Sequence, residues 1–313
     1  MTETVFRNKL ALIVPTRNRP DLLIKLLKTI ETQTVMPSQV IIVDGSDVSI
    51  HPQIAEYLRD CDKYLHVVPP SLTRQRNAGK KELDLAITIA GYLDDDIELE
   101  PTTIEEMLRF WETCPPDTGG TEFNITNIPP DKSFAMIIRR FFCISGPEPG
   151  KVLRSGFCTS AFPAVRDHPC EWLCGGATIW SRKVLDTYQY DEWYSGWAYH
   201  EDAEFSYRIF KIPMRLYIVY KARLTHNPPP FNPSRNIALG RMAVINRYHF
   251  VKTNPELSVW LFYWSTIGEI FLNILRTIWE RNGGGARIAL GNIDALNHIL
   301  KSDYVQQDIN FRK

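Results

Sequence analysis

Four short apolar runs constrain this chain more than any other feature. They are LALIV (10–14), VIIV (40–43), YLHVV (64–68) and AITIAGYL (86–93). Each is short for a buried helix, and none shows the apolar–polar alternation of a half-exposed strand. Strands covered by helices on both faces read this way. Between the first two, Leu22, Leu23, Leu26, Leu27 and Ile30 share one helical face, with Pro20 suited to a first turn and Asp21 to the positive end of its dipole. DGSD closes the second run as a turn, and SLTRQRNAGKKELD has helical character before the fourth. After the fourth run, Thr102 with Glu105 and Thr103 with Glu106 form overlapping capping boxes that predict a new helix. Repeated strand–helix–strand units predict an α/β sandwich on a mostly parallel sheet, in which ligands lie at the C-terminal strand ends. Asp44 and the triplet Asp94, Asp95 and Asp96 fall at such ends.

Composition narrows the class. Thirty-six basic residues balance thirty-six acidic ones, so no bulk positive field points to nucleic acid. The first apolar run is too short for a signal peptide or a membrane span. Cys61, Cys114, Cys143, Cys158, Cys170 and Cys174 follow no pairing rhythm, which predicts reduced thiols and a cytoplasmic setting. Residues 113–170 are weakly periodic. Strand–turn–helix patterning returns with CEWLCGGATIWSRKVLD, a helix ends the aromatic-rich EWYSGWAYHEDAEFSYRIFK, and MRLYIVY reads as a strand. Beyond HNPPPFNP a helix is expected, capped by Ser234.

Three adjacent carboxylates repel unless they are solvated or share a cation. Two residues apart on extended chain, Asp94 and Asp96 point one way while Asp95 points the other. Their hard oxygens suit Mg2+ or Mn2+ shared with phosphates, and the cluster is expected to depend on that cation for its order. A solvated turn is the competing reading.

In order and spacing, IVPTRNRPDLLIKLLKTIETQT with QVIIVDGSD, then LTRQRNAGKK, YLDDDIELEP, CGGATIWSRKVL and YHEDAEFSYRI resemble the family 2 glycosyltransferases of the GT-A fold, over about residues 8–226. The resemblance implies a Rossmann-like α/β/α nucleotide-diphospho-sugar transferase in residues 1–230. Residues 8–112 would bind the nucleotide sugar and 113–230 the acceptor, with 231–313 a C-terminal helical extension. It implies a nucleotide site at Pro15, Thr16, Arg17, Asp44, Arg76, Asn77, Asp94 and Asp95, with Asp44 at the base and Asp94 at the ribose. The metal, Mn2+ or Mg2+, would lie on Asp96 and His226, although a lone His also serves as packing. Gly175, Gly176, Trp197 and Glu201 would meet the acceptor, and Asp202 would be the general base of an inverting transfer. The implied donor is a UDP-sugar. The implied acceptor is a saccharide or a lipid-linked saccharide, in surface polysaccharide assembly. A sugar-phosphate nucleotidyltransferase would need glycine after the first strand, which PTRNRP lacks. A degenerate scaffold would have no need of Asp94, Asp96 and Asp202 together.

The last third is strongly apolar from Leu257, but Glu269 and Arg276 interrupt it, so no span of a bilayer is expected. Trp260, Trp264 and Trp279, with Arg276, Arg281 and Arg287, suit a helix at the inner membrane face, contacting it through 257–281. Burial against protein or in a dimer suits them equally.

Overall fold

The computed structural model describes residues 5–128, 135–228, 233–280 and 283–301. Along the chain lie β1 (Leu10–Thr16), α1 (Pro20–Glu31), β2 (Gln39–Asp44), α2 (His51–Ile54), β3 (Lys63–His66), α3 (Leu72–Lys81), β4 (Ile89–Leu93), β5 (Ile97–Leu99) and α4 (Thr103–Thr113). Then follow β6 (Thr118–Ile125), α5 (Ala135–Phe141), β7 (His168–Cys170), β8 (Ala177–Ser181), α6 (Arg182–Thr187), α7 (Glu201–Phe210), β9 (Arg215–His226), α8 (Asn236–Thr253), α9 (Val259–Glu280) and α10 (Gly284–Lys301). The chain divides into two compact units, one of residues 1–130, 161–198 and 205–229, the other of 131–160, 199–204 and 230–313. Segments 131–160 and 199–204 thus group with the C-terminal helices.

The first unit is a sheet in the order β3-β2-β1-β4-β8-β6-β9-β5, with β7 on β9. The pairs β1–β2, β1–β4, β2–β3 and β6–β9 are parallel. The strands β8, β5 and β7 run against their neighbours, so the sheet is mixed. The first, second and fourth apolar runs bury both faces, whereas the third, YLHVV, forms the edge strand β3 and is only partly buried, which corrects the expectation of a fully covered strand there. Leu10, Leu12 and Val14 join one core cluster with Val40 and Ile42, while Ala11, Ile13, Ile41 and Val43 join another.

One connection shapes the site. Three residues join β4 to β5, yet three strands stand between them in the sheet. In a flat sheet those four spacings come to about 19 Å, beyond the roughly 14 Å that the chain from Leu93 to Ile97 can reach. The sheet must therefore curl, which carries the end of β9 back to the residues that follow β4.

Two helix starts depart from the sequence expectation. Thr102 occupies the N-cap of α4 without a side-chain capping bond. Thr103 instead donates to the carbonyls of Glu100 and Arg223, and Glu105 accepts from Thr34 and Arg109, so neither capping box closes. Tertiary partners outcompete the local ones. Ser234 lies in a 3-10 turn, and Arg235 takes the N-cap of α8. Among the described residues no disulfide forms, and all six cysteines are thiols. No described helix is long and apolar enough to cross a membrane.

Candidate metal and nucleotide site

The aspartates fill the tight connection after β4. Asp94, Asp96 and His226 each direct one ligand atom to a common region, with those atoms within 4.8 Å of one another. His226 ends β9 and pairs in register with Ile97, the first residue after the acids. Its Nε2 lies 3.0 Å from Asp96 Oδ1. The approach has the distance but not the alignment of a hydrogen bond, so Asp96 Oδ1 is buried without a hydrogen-bond partner. That short approach to Asp96 is the main cause raising the proton affinity of His226, and burial opposes it. Two carboxylate oxygens and an imidazole nitrogen, one oxygen with an unused buried lone pair, fit a hard-to-borderline divalent ion.

The chain itself offsets part of the repulsion. Asp95 turns inward, where it accepts from Thr16 Oγ1 at 2.7 Å and Arg19 Nη1 at 3.2 Å. Burial nevertheless pushes its pKa up to about 6. Arg19 also stands 3.6 Å from Asp96 Oδ2, and Arg76 Nη2 stands 3.6 Å from Asp94 Oδ1. Arg76 is almost wholly buried, its guanidinium 5.0 Å from the Tyr190 ring centre and 5.7 Å from that of Tyr92. Aromatic faces tolerate a desolvated cation there. Gly176 presses on the same carboxylate, since a Cβ at 176 would fall 2.2 Å from Asp94 Oδ2. Its carbonyl accepts from Asp94 N at 2.9 Å. At this position glycine makes room for Asp94.

The other expected nucleotide residues are tied into the chain. Pro15 and Thr16 are buried, and exposed Arg17 pairs with Asp47 at 3.1 Å. Asp44 lies beside Thr16 in the β1–β2 register and is fully buried. Its oxygens accept from Ser46 N, Ile50 N and the Tyr64 hydroxyl. Burial works against ionisation of Asp44, but those hydrogen bonds prevail and hold its pKa below the usual range. Asn77 braces the backbone of Tyr190, donating to its carbonyl and accepting from its amide, both at 2.9 Å. Gln75, which the sequence did not single out, donates to the carbonyls of Thr16 and Val43 and so ties β1 to β2.

Of the expected acceptor residues, Gly175 is buried and Trp197 is 40% exposed. Glu201 and Asp202 open α7 and belong to the second unit. Glu201 is buried, while Asp202 is half-buried and caps its own turn by accepting from Ala203 N at 2.7 Å.

Together, a curled α/β sheet and a convergent Asp–Asp–His set at parallel strand ends define the GT-A class of fold. Residues 11–133 match the family model for glycosyl transferase family 2. Two solved structures share the fold. A crystal structure of GalNAc-T7 with UDP, GalNAc and Mn2+ is 16% identical, with a TM-score of 0.60 over 78% of this chain and 48% of the other. The mannosyltransferase PcManGT of Pyrobaculum calidifontis, in complex with GDP-Man and Mn2+, is 11% identical, with a TM-score of 0.58 over 93% and 88%. The chain thus spans about half the length of the first and most of the second. No curated protein sequence matches it.

Proposed function

We propose that the chain transfers a sugar from a nucleotide-diphosphate donor, a UDP-sugar first among candidates, to a hydroxyl of a saccharide or lipid-linked acceptor, with inversion. The observation that supports this most is the convergence of Asp94, Asp96 and His226, with a buried, hydrogen-bond-free oxygen on Asp96. Asp96 and His226 would hold Mn2+ or Mg2+, the former being the ion bound in both structural neighbours. When bound, such an ion supplies positive charge against the negative charge that builds on a departing diphosphate. Arg19 and Arg76 flank the acids and suit the same diphosphate, while Asp94 suits a ribose hydroxyl. The acceptor oxygen attacks the anomeric carbon as the sugar–phosphate bond breaks, and the diphosphate leaves with the bonding electrons. Asp202 takes the hydroxyl proton, help typically worth ~10²–10⁴-fold.

A thermal-shift screen of nucleoside diphosphates with Mn2+ identifies the base. Asp96→Ala should then abolish the Mn2+-dependent nucleotide shift. Asp202→Asn should keep that shift and lose transfer. Turnover at the parent rate by Asp202→Asn would remove the base assignment, and an unchanged shift in Asp96→Ala would remove the metal assignment.

A further inference from the structure

The helix α9 is inside out. Its buried face carries Phe262, Ser265 and Thr266, and Glu269 meets the buried Arg247 of α8 at 3.1 Å. Its outward face repeats at helical spacing through Trp260, Trp264, Ile267, Phe271, Ile274 and Ile278. Of these, Trp260 is 70% exposed, Ile278 69% and Ile267 52%. An exposed, continuous apolar stripe of this length marks a surface that something covers.

The neighbouring α5 extends the stripe. Phe142, just beyond α5, packs over Gly268, its ring tilted against Trp264 at 5.0 Å and Phe271 at 6.2 Å. The Trp264 indole N–H donates to the Phe141 carbonyl at 3.0 Å, which fixes the end of α5 against α9. Exposed Ile137 and Phe141 thereby join the apolar face, and exposed Arg139 and Arg140 stand on the same helix turn. Arg276 is exposed further along α9, and the stripe from Trp260 to Ile278 holds no outward carboxylate, because Glu269 turns inward.

We propose that this face, the outer stripe of α9 with the last turn of α5, docks flat on an anionic lipid bilayer. Aromatic rings beside arginines suit the headgroup region, and the helix, unable to span, suits the interfacial plane. A second copy meeting this face about a two-fold axis would gather like-charged arginines around the contact, whereas anionic headgroups neutralise them. The docking stands independently of the transferase reading.

The test is flotation of the full chain with vesicles of phosphatidylcholine alone or mixed with phosphatidylglycerol. The chain should float with the mixed vesicles, not with phosphatidylcholine alone, and less as salt rises. The double variant Arg139→Gln/Arg140→Gln should bind roughly tenfold more weakly or worse. The double variant Trp260→Ser/Ile278→Ser should stay at the bottom of the gradient, with its thermal unfolding unchanged because both positions are about 70% exposed. No flotation of the parent chain overturns the docking, as does equal flotation of the serine variant. A dimer in solution that the serine variant dissociates would assign the face to a second copy instead.

Discussion

Among the described residues, each unit of this molecule buries one arginine almost completely, and the two are used in opposite ways. Arg76 in the sheet unit rests between Tyr92 and Tyr190, and its described carboxylate, Asp94, stands off at 3.6 Å and keeps about a third of its side chain exposed. Arg247 in the helix unit lies 3.7 Å over the Phe157 ring and donates to Thr266 at 2.8 Å and Glu269 at 3.1 Å. One cation is held so that its carboxylate stays available to a ligand. The other is spent inside the fold, which lets α9 turn its apolar side outward. Burial of a charge alone therefore does not mark a functional residue; what decides is whether its partner still has lone pairs free.

The largest expected effect tests the committed pair. Arg247→Met should lower stability by about 3 kcal/mol, because it leaves the Glu269 carboxylate without its charge partner in a mostly buried position. Adding Glu269→Met should recover most of that loss, as apolar replacement of a buried pair commonly does. Urea melts of the two variants check this. A single variant as stable as the parent would break the contrast.

The matching change in the sheet unit, Arg76→Met, should cost less stability, since Asp94 can hydrate. It should cut nucleotide affinity and transfer roughly tenfold or more, as loss of a positioned charge near a diphosphate does. Titration of UDP with Mn2+ alongside the same melts separates the two outcomes. Stability loss equal to that of Arg247→Met would make Arg76 a structural residue.

Gly176→Ala sharpens the point without touching a charge. The added methyl must push the Asp94 carboxylate, a side-chain end that can move, so the fold should hold while transfer falls by roughly tenfold to a hundredfold. A crystal structure of the variant should show Asp94 displaced.

How much of this was legible beforehand follows the same division. Three of the four apolar runs gave away the sheet because strands buried on both faces leave no alternation to misread; the third became the partly exposed edge strand β3. Asp94, Asp96 and His226 converge, where the resemblance implied only Asp96 and His226 for the metal, and no local pattern reveals the grouping. The curl that returns β9 to β4 follows from strand order, and strand order is not written in any one segment. Arg19 was overlooked beside Arg17 because both sit in PTRNR and only the path of the turn, with Asn18 at φ 56°, decides which reaches the acids. The outward face of α9 was equally illegible. Its apolar stripe is visible in the sequence, but which side meets the protein depends on Arg247, nineteen to twenty-two positions before its partners.

The smallest expected effect probes how far the field of Arg247 reaches. The His200 Nε2 is buried without a hydrogen-bond partner, and the ring packs edge-on to Phe250 at 5.0 Å. Burial first, and the Arg247 charge second, push its pKa down to about 3. Its folded value thus lies below the 6.5 of the unfolded chain, so between those values the unfolded state binds more protons. The stability contribution of neutral His200 is complete above pH 6.5 and drains away as pH falls toward 3. In His200→Phe, which keeps a ring against Phe250, melting temperature should depend less on pH across that window. In Arg247→Met the window should narrow from its acid end, because removing the like charge lets the imidazole protonate sooner in the folded state. If the acid slope of Arg247→Met matched the parent's, the charge of the guanidinium would not reach His200, and the contrast with Arg76 would rest on its direct contacts only.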